Sequence, residues 1–250
     1  AVGERVKQEL SRLDGTTHVA LLENLRFSAA EEKNDEAFAM ALAQNGDIYI
    51  NDAFGSSHRA HASIVGVTKH LPSGAGFLLE KEIRYLGEAM NAPRKPFIAI
   101  LGGSKVSDKI GVVENLIAKV DKILIGGAMA YTFLKVKGIE IGSSRYEKDK
   151  LELAATILEK AKAARVELLL PVDHVTVQKV EEGALSKVEG PSIAPGWLGV
   201  DIGPKTIELF KSAIDPAKTV IWNGPMGVFE MQPFAKGSYE IALKLTQMKD

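Results

Sequence analysis

The chain has 250 residues, 46% of them hydrophobic, and sets 31 Lys and Arg against 32 Asp and Glu for a formal net charge of −1. That composition supports a folded core of one large or two modest domains, and balanced charge removes the bulk field that would draw the chain to nucleic acid or an anionic membrane. The lack of cysteine excludes disulfides, thiolate metal sites and cysteine nucleophiles and fits a reducing cytosol, and no apolar run reaches membrane-span length, so a soluble cytoplasmic protein is expected.

Ala1 to Leu10 is charged and helix-like, unlike a signal peptide. Strand-length aliphatic runs then recur at Val19 to Leu25, Asp47 to Asp52, Phe97 to Leu101, Lys122 to Ile125, Val166 to Pro171 and Thr219 to Trp222. Between them lie amphipathic stretches of helical length at Glu31 to Gln44, Glu80 to Met90, Val106 to Lys119, Glu147 to Ala164, Lys205 to Ser212 and Phe234 to Gln247. Alternating β and α runs predict an α/β fold of parallel sheets with crossover helices. Two prolines in Asn91-Ala92-Pro93-Arg94-Lys95-Pro96 stop a helix and start a strand, which divides the chain into 1–77, a linking helix and hinge over 78–94, and 95–250. The first part offers only two strand runs, too few for a stable domain, and neither end carries a helix cap or closing strand, so both ends read as cut. Glu181 to Pro195 has little pattern and reads as a surface excursion.

In open α/β sheets, ligands bind beyond the carboxyl ends of strands, where helix N-termini aim free N–H groups at anions. After the Phe97 to Leu101 run comes Gly102-Gly103-Ser104-Lys105-Val106-Ser107-Asp108-Lys109. Its glycines allow close backbone approach, Ser104 can cap a helix, and Lys105 and Lys109 fall at i, i+4 on one face of its first turn. Two ammonium groups there oppose the helix dipole unless an anion binds. The alternative is a pair of solvated surface charges. The segment lacks the Gly-Lys-Ser/Thr order of a phosphate-binding P-loop, and no G-x-G-x-x-G dinucleotide fingerprint occurs, which disfavours a nicotinamide enzyme. Arg26 follows the Val19 to Leu25 run, and Arg59 follows Asn51 to His58; each suits bidentate capture of phosphate or carboxylate. The alternatives are an Arg26 salt bridge to Glu31 or Glu32 and an Arg59 charge on a helix surface. His58 and His61 match no metal or nucleophile pattern and are assigned to capping and loop packing. His18, His70 and His174 stand alone. Asn223 to Glu230 mixes apolar walls with an acid suited to ribose hydroxyls, although Gly-Pro loops are also common turns. Gly126-Gly127-Ala128 reads equally as close packing of a helix on a sheet.

Taken in order, Leu25-Arg26-Phe27, His58-Arg59-Ala60-His61-Ala62-Ser63, the Gly102 to Lys109 segment, Gly199-Val200-Asp201-Ile202-Gly203-Pro204 and Trp222 to Glu230 resemble phosphoglycerate kinase over essentially the whole chain. The resemblance implies two Rossmann-like lobes joined by a helix and hinge. It implies phosphoglycerate at Arg26 and Arg59, with Lys105 beside the phosphoryl group in flight and Lys109 on nucleotide phosphates, both lysines serving catalysis and nucleotide binding. Gly103, Gly126, Gly127, Gly199, Val200, Pro225 and Val228 would line the nucleotide pocket, with Asn223 near the phosphates and Glu230 on the ribose. Ala128 stands where the family usually has a third glycine. The implied reaction is transfer of the acyl phosphate of 1,3-bisphosphoglycerate to ADP, giving ATP and 3-phosphoglycerate, with Mg2+ accompanying the nucleotide, no metal held by the residues above, and a monomer in complete form. The family's first strands and its Gly-Gly-Gly-Asp loop fall outside this sequence, so a central fragment is expected. A catalytically silent nucleotide-binding fragment is the alternative.

Overall fold

A computed structural model describes residues 2–13, 16 and 19–248; Ala1 and His18, named above, lie outside the described residues. The chain divides into two compact units, one reaching to Glu88 and one from Ala89 onward. The first unit holds α1 (Glu4–Ser11), α2 (Ala29–Glu32), α3 (Glu36–Ala43), β1 (Tyr49–Asn51) and β2 (Ser73–Ala75). Strands β1 and β2 pair in parallel, with Tyr49 opposite Ser73. The expected single helix over Glu31 to Gln44 is broken. Asn34 takes a left-handed φ of 53°, and Asp35 starts α3 by accepting the Phe38 N–H at 2.9 Å. The expected strand over Val19 to Leu25 does not form. A strand needs a hydrogen-bonded neighbour, and among the described residues none lies beside this run; Val19 and Leu21 are 85 and 97% exposed. The run ends in a short 3-10 turn, Leu25–Phe27.

Helix α4 (Phe77–Asn91) crosses the division between the units. The second unit continues with β3 (Phe97–Leu101), α5 (Ile110–Ile117), β4 (Lys122–Ile125), α6 (Met129–Val136), α7 (Leu151–Ala163) and β5 (Glu167–Leu169). It closes with β6 (His174–Val177), β7 (Ser186–Glu189), β8 (Leu198–Ile202), α8 (Pro204–Ile214), β9 (Thr219–Asn223) and α9 (Lys236–Thr246). A parallel sheet runs β5-β4-β3-β9, as the alternating pattern predicts. Its central strands read as unbroken apolar runs because both faces are covered. Phe97, Ala99 and Leu101 pack with residues of α5, α6 and α7 on one side, and Ile98 and Ile100 with residues of α8 and α9 on the other.

The second sheet, β7-β6-β8, is antiparallel and was not expected. Strand β7 lies inside the stretch read as a surface excursion, its residues largely exposed; β8 was missed because Gly199 and Asp201 interrupt its apolar pattern. No helix among the described residues is long and apolar enough to cross a membrane.

Buried Asp173, between β5 and β6, starts α8 from outside the helix. Its carboxylate accepts the Lys205 N–H at 2.9 Å, the Thr206 N–H at 2.7 Å and the Thr206 hydroxyl at 2.6 Å. Asp173→Ala leaves those donors short of an acceptor in a buried place and is expected to cost about 2–3 kcal/mol. The measure is a lower urea midpoint at unchanged slope; a loss under about 0.5 kcal/mol, the range of a neutral surface change, would show that the cap carries no weight.

Candidate functional site

The loops that leave β3, β4 and β9 bond to one another through their backbones. Gly102 donates to the Asn223 carbonyl at 2.9 Å, Gly103 to Pro225 at 2.9 Å, Gly126 to Leu101 at 2.8 Å and Gly127 to Met226 at 2.9 Å. Met129, at the start of α6, donates to Gly103 at 3.0 Å. Gly127 has φ +66°, and a Cβ there would stand 2.5 Å from the Gly103 nitrogen. The small residues at 126 and 127 therefore serve loop-on-loop approach rather than helix-on-sheet packing alone.

These bonds change the reading of the two lysines. Helix α5 does not begin at Val106 but at Ile110, with Lys109 as its N-cap, and Ser104 caps nothing. Gly103 has φ 103° and the chain is drawn across to the β9 loop, so residues 102–109 stay a loop. Lys105 and Lys109 thus precede the helix and do not share its first turn. Lys109 donates to the Asn223 side-chain oxygen. Lys105 is exposed and has no ion pair among the described residues.

A cavity of about 530 Å3 opens beside these loops. Gly103, Gly127, Gly199, Val200, Pro225, Val228 and Glu230, all expected from the sequence, line it. Gly126 sits just behind, against the Met226 sulfur. Lys105, Lys109 and Asn223 are not part of the wall. Among the lining residues that sequence reasoning did not assign to the site are Tyr131, Arg145 and Asp201. The signal for Asp201 was an acid between two aliphatic residues, Val200 and Ile202. Tyr131 needs Gly199: a Cβ at 199 would land on its hydroxyl.

Arg26 and Arg59 belong to the first unit and are both exposed. Neither has an ion pair among the described residues; the backbone N–H of Arg26 bonds the Asn24 side chain at 3.0 Å. Of the two partners considered for Arg26, Glu32 is exposed and makes no ion pair with it among the described residues, and Glu31 is buried against Ser63, with the Ser63 hydroxyl at 2.5 Å and N–H at 2.9 Å. Arg59 lies on a bend, not on a helix. His61 is buried, 3.6 Å from Glu31, and its carbonyl accepts from Ile64, Val65 and Gly66, which is the packing role expected of it; His58 is exposed.

Burial sets the electrostatics of the wall. It pushes the Asp201 carboxyl up to about 6 against two backbone N–H groups, Gly237 and Ile202, that favour the charged form. It pushes the Tyr131 hydroxyl up as well, helped by Asp201, and holds His174, 3.4 Å from that hydroxyl, below its ordinary value. Glu147 goes the other way: burial raises it, but bonds from Ser107 and Val106 outweigh burial and keep the carboxyl low. Among the described residues no group of three or more His, Asp or Glu stands ready to hold a metal ion.

The family model described as phosphoglycerate kinase matches residues 1–250. The chain belongs to the phosphoglycerate kinase family. It is 52% identical over 250 residues to a phosphoglycerate kinase of Pseudothermotoga lettingae, covering 99% of this chain and 63% of the relative. It is 56% identical over 232 residues to a protein named phosphoglycerate kinase 2, chloroplastic, of Arabidopsis thaliana, covering 92% of this chain and 48% of the relative. The structure of phosphoglycerate kinase from Coxiella burnetii matches with a TM-score of 0.78 at 38% identity, over 90% of this chain and 59% of that one. That of Pyrococcus horikoshii matches with a TM-score of 0.79 at 31% identity, over 98% and 64%. The chain thus spans less than two thirds of the length of these phosphoglycerate kinases.

Asp201 makes a pH-dependent prediction. Its folded value, about 6, lies above the ordinary 3.8, so its contribution to stability is fully present below about pH 4 and lost as pH rises through 6. The difference in unfolding free energy between wild type and Asp201→Asn should therefore change between pH 4 and 6 and level off above. A difference that is flat across that window, or a carboxyl titrating near 4 by carbon-13 NMR, would contradict the assignment.

Proposed function

We propose that the protein transfers a phosphoryl group between 1,3-bisphosphoglycerate and ADP, giving 3-phosphoglycerate and ATP, as a glycolytic phosphoglycerate kinase. The observation that carries this reading is the cavity: seven residues expected to hold a nucleotide, drawn from β8 and from the loops after β3, β4 and β9, line one space of about 530 Å3. Its apolar walls, Val200, Pro225 and Val228, suit a base, and Glu230 suits ribose hydroxyls. Asn223 and Lys109, bonded to each other, present an amide and a charge to phosphates. Arg26 and Arg59, exposed and unpaired, suit the carboxylate and phosphate of phosphoglycerate.

Phosphoryl transfer needs positioning and charge neutralisation more than a covalent nucleophile. Lys105 extends from a loop whose backbone is pinned at Gly102 and Gly103, so its ammonium is free to follow the transferring oxygens while its Cα stays fixed. Such a preorganised charge favours the transition state over the ground state. Lys109, tied to Asn223, acts more on binding. Mg2+ has no protein cage among the described residues: Asp201 spends its carboxylate on the Ile202 and Gly237 N–H groups at 2.9 and 2.7 Å, and Glu230 is exposed. The ion is proposed to arrive on the ADP or ATP phosphates. A cytoplasmic monomer fits the cysteine-free composition and balanced charge.

Calorimetry with Mg-ADP is the first test, and a folded protein giving no heat up to millimolar nucleotide would end the proposal. Binding without turnover in a coupled assay with 3-phosphoglycerate and ATP would leave a silent nucleotide-binding chain. In an active form, Lys105→Ala should lower kcat by about 100-fold to 1,000-fold with little change in nucleotide KM. Lys109→Ala should chiefly raise that KM. A Lys105→Ala enzyme with raised KM and wild-type kcat would make this lysine a ground-state clamp.

A further inference from the structure

Lys105 and Lys109 ride on a loop with no regular hydrogen-bonding pattern of its own between Gly103 and the start of α5. Its middle residue, Ser107, is held from a distance. The Ser107 N–H donates to one carboxylate oxygen of Glu147 at 3.0 Å, and the Ser107 hydroxyl to the other at 2.5 Å. Glu147 is itself fixed: its N–H donates to the hydroxyl of Thr132 on α6 at 3.1 Å, and Thr132 is buried. The same segment grips the opposite wall of the cavity, because the Ser144 hydroxyl accepts the Gly199 N–H at 2.9 Å and Ser143 donates to the Trp197 carbonyl at 2.7 Å. Residues 143–147 are thus a strap with one end on the lysine loop and the other on the strand that bears Gly199 and Val200.

Glu147 has no cation within ion-pair distance among the described residues, although two lysines flank the serine it holds. Its two oxygens take the N–H and O–H of Ser107, and the Val106 N–H beside them also favours its charged form: neutral donors of one loop, the pattern of a bracket that fixes backbone position rather than of a counter-ion. We infer that Glu147 is a positioning residue for nucleotide phosphate recognition: through Ser107 it fixes the loop from which Lys105 and Lys109 reach the phosphates. This rests on the proposed nucleotide site and assigns to it a residue that touches neither cavity nor ligand.

The distinguishing readout is discrimination between ADP and adenosine, which share base and ribose but differ in the anion the lysines would meet. Wild type should bind ADP more tightly than adenosine. Glu147→Ala should weaken ADP by about tenfold or more, a loss of roughly 1.4 kcal/mol, while adenosine stays within about threefold. Glu147→Gln separates bracket from charge. Its amide oxygen accepts the Ser107 N–H and its NH2 group donates to the Ser107 hydroxyl, so ADP affinity should stay within about threefold of wild type. Ser107→Ala, which removes only the hydroxyl bond, should give a smaller loss confined to ADP and carries the test if Glu147→Ala fails to fold.

Equal weakening of ADP and adenosine in Glu147→Ala would mean general damage to the fold and overturn the inference, as would no change for either ligand. A Glu147→Gln variant as impaired as Ala would place the effect in the charge and overturn the bracket. With Glu147→Ala unfolded, an unchanged Ser107→Ala does the same. A wild-type protein that binds neither ligand removes the nucleotide site and this inference together, whereas wild-type discrimination that survives every variant removes the inference alone.

Discussion

Gly102 and Gly103 leave the end of β3 and give their N–H groups to the carbonyls of Asn223, the last residue of β9, and of Pro225 beyond it, while Gly127, beyond β4, gives its N–H to Met226. These bonds satisfy backbone donors at the place where three neighbouring parallel strands stop and ladder bonding ends. They also force the strand-end loops to run side by side, because only residues without a Cβ allow such an approach. The rest of the site follows from this. The Met226 to Glu230 segment is carried over the cavity, α6 starts against the Gly103 carbonyl, and the lysine loop is displaced from the helix it precedes.

The parallel sheet was legible because burial on both faces writes an uninterrupted aliphatic run: the limits of β3 and β4 coincide with the runs read from the sequence. The antiparallel sheet was not legible. Its strands carry His174, Thr176, Asp201 and a largely exposed β7, and the physical reason each polar group tolerates its place lies in distant residues. Asp201, for example, is tied to Gly237, thirty-six positions away. Helix α6 was missed as well, since six of its eight residues are buried, which leaves no polar face to mark a helical period. Glycine-rich loops and cationic residues were visible as types and as an order resembling one family. What the sequence could not supply was where the helix after Gly103 begins, because that depends on bonds to Asn223, Pro225 and Glu147.

Burial disfavours the charged form of Asp201 and Tyr131 on the cavity wall and of His174, which lies against Tyr131 rather than on the wall. Asp201, Tyr131 and His174 each lose solvation without gaining a full counter-charge. Asp201 is kept in place by backbone donors at the end of α9 and within β8, and Gly227 and Gly237 crowd its carboxylate so closely that a Cβ at either would collide with it. It therefore works as a hub joining β8, the β9 loop and α9.

Twelve of the chain's Lys and Arg residues form ion pairs among the described residues. Lys160 meets Glu114, Lys211 meets Glu240 and Lys95 meets Asp121, and with nearly equal numbers of acids and bases such pairing is readily available. Each exposed pair contributes only about 0–1 kcal/mol, so pairing is a matter of proximity more than of strong selection. Arg26, Arg59 and Lys105 are among the cations that have no ion pair among the described residues, and Glu31 and Glu147 each bond a serine. Serine neutralises no charge, so each glutamate keeps its own negative charge while its oxygens hold backbone and hydroxyl donors in place. The two glutamates perform the same operation in the two units: each uses both oxygens on the N–H and hydroxyl of one serine. A net charge of −1 still leaves room for local clusters of either sign, because charge acts within about a Debye length rather than over the whole chain.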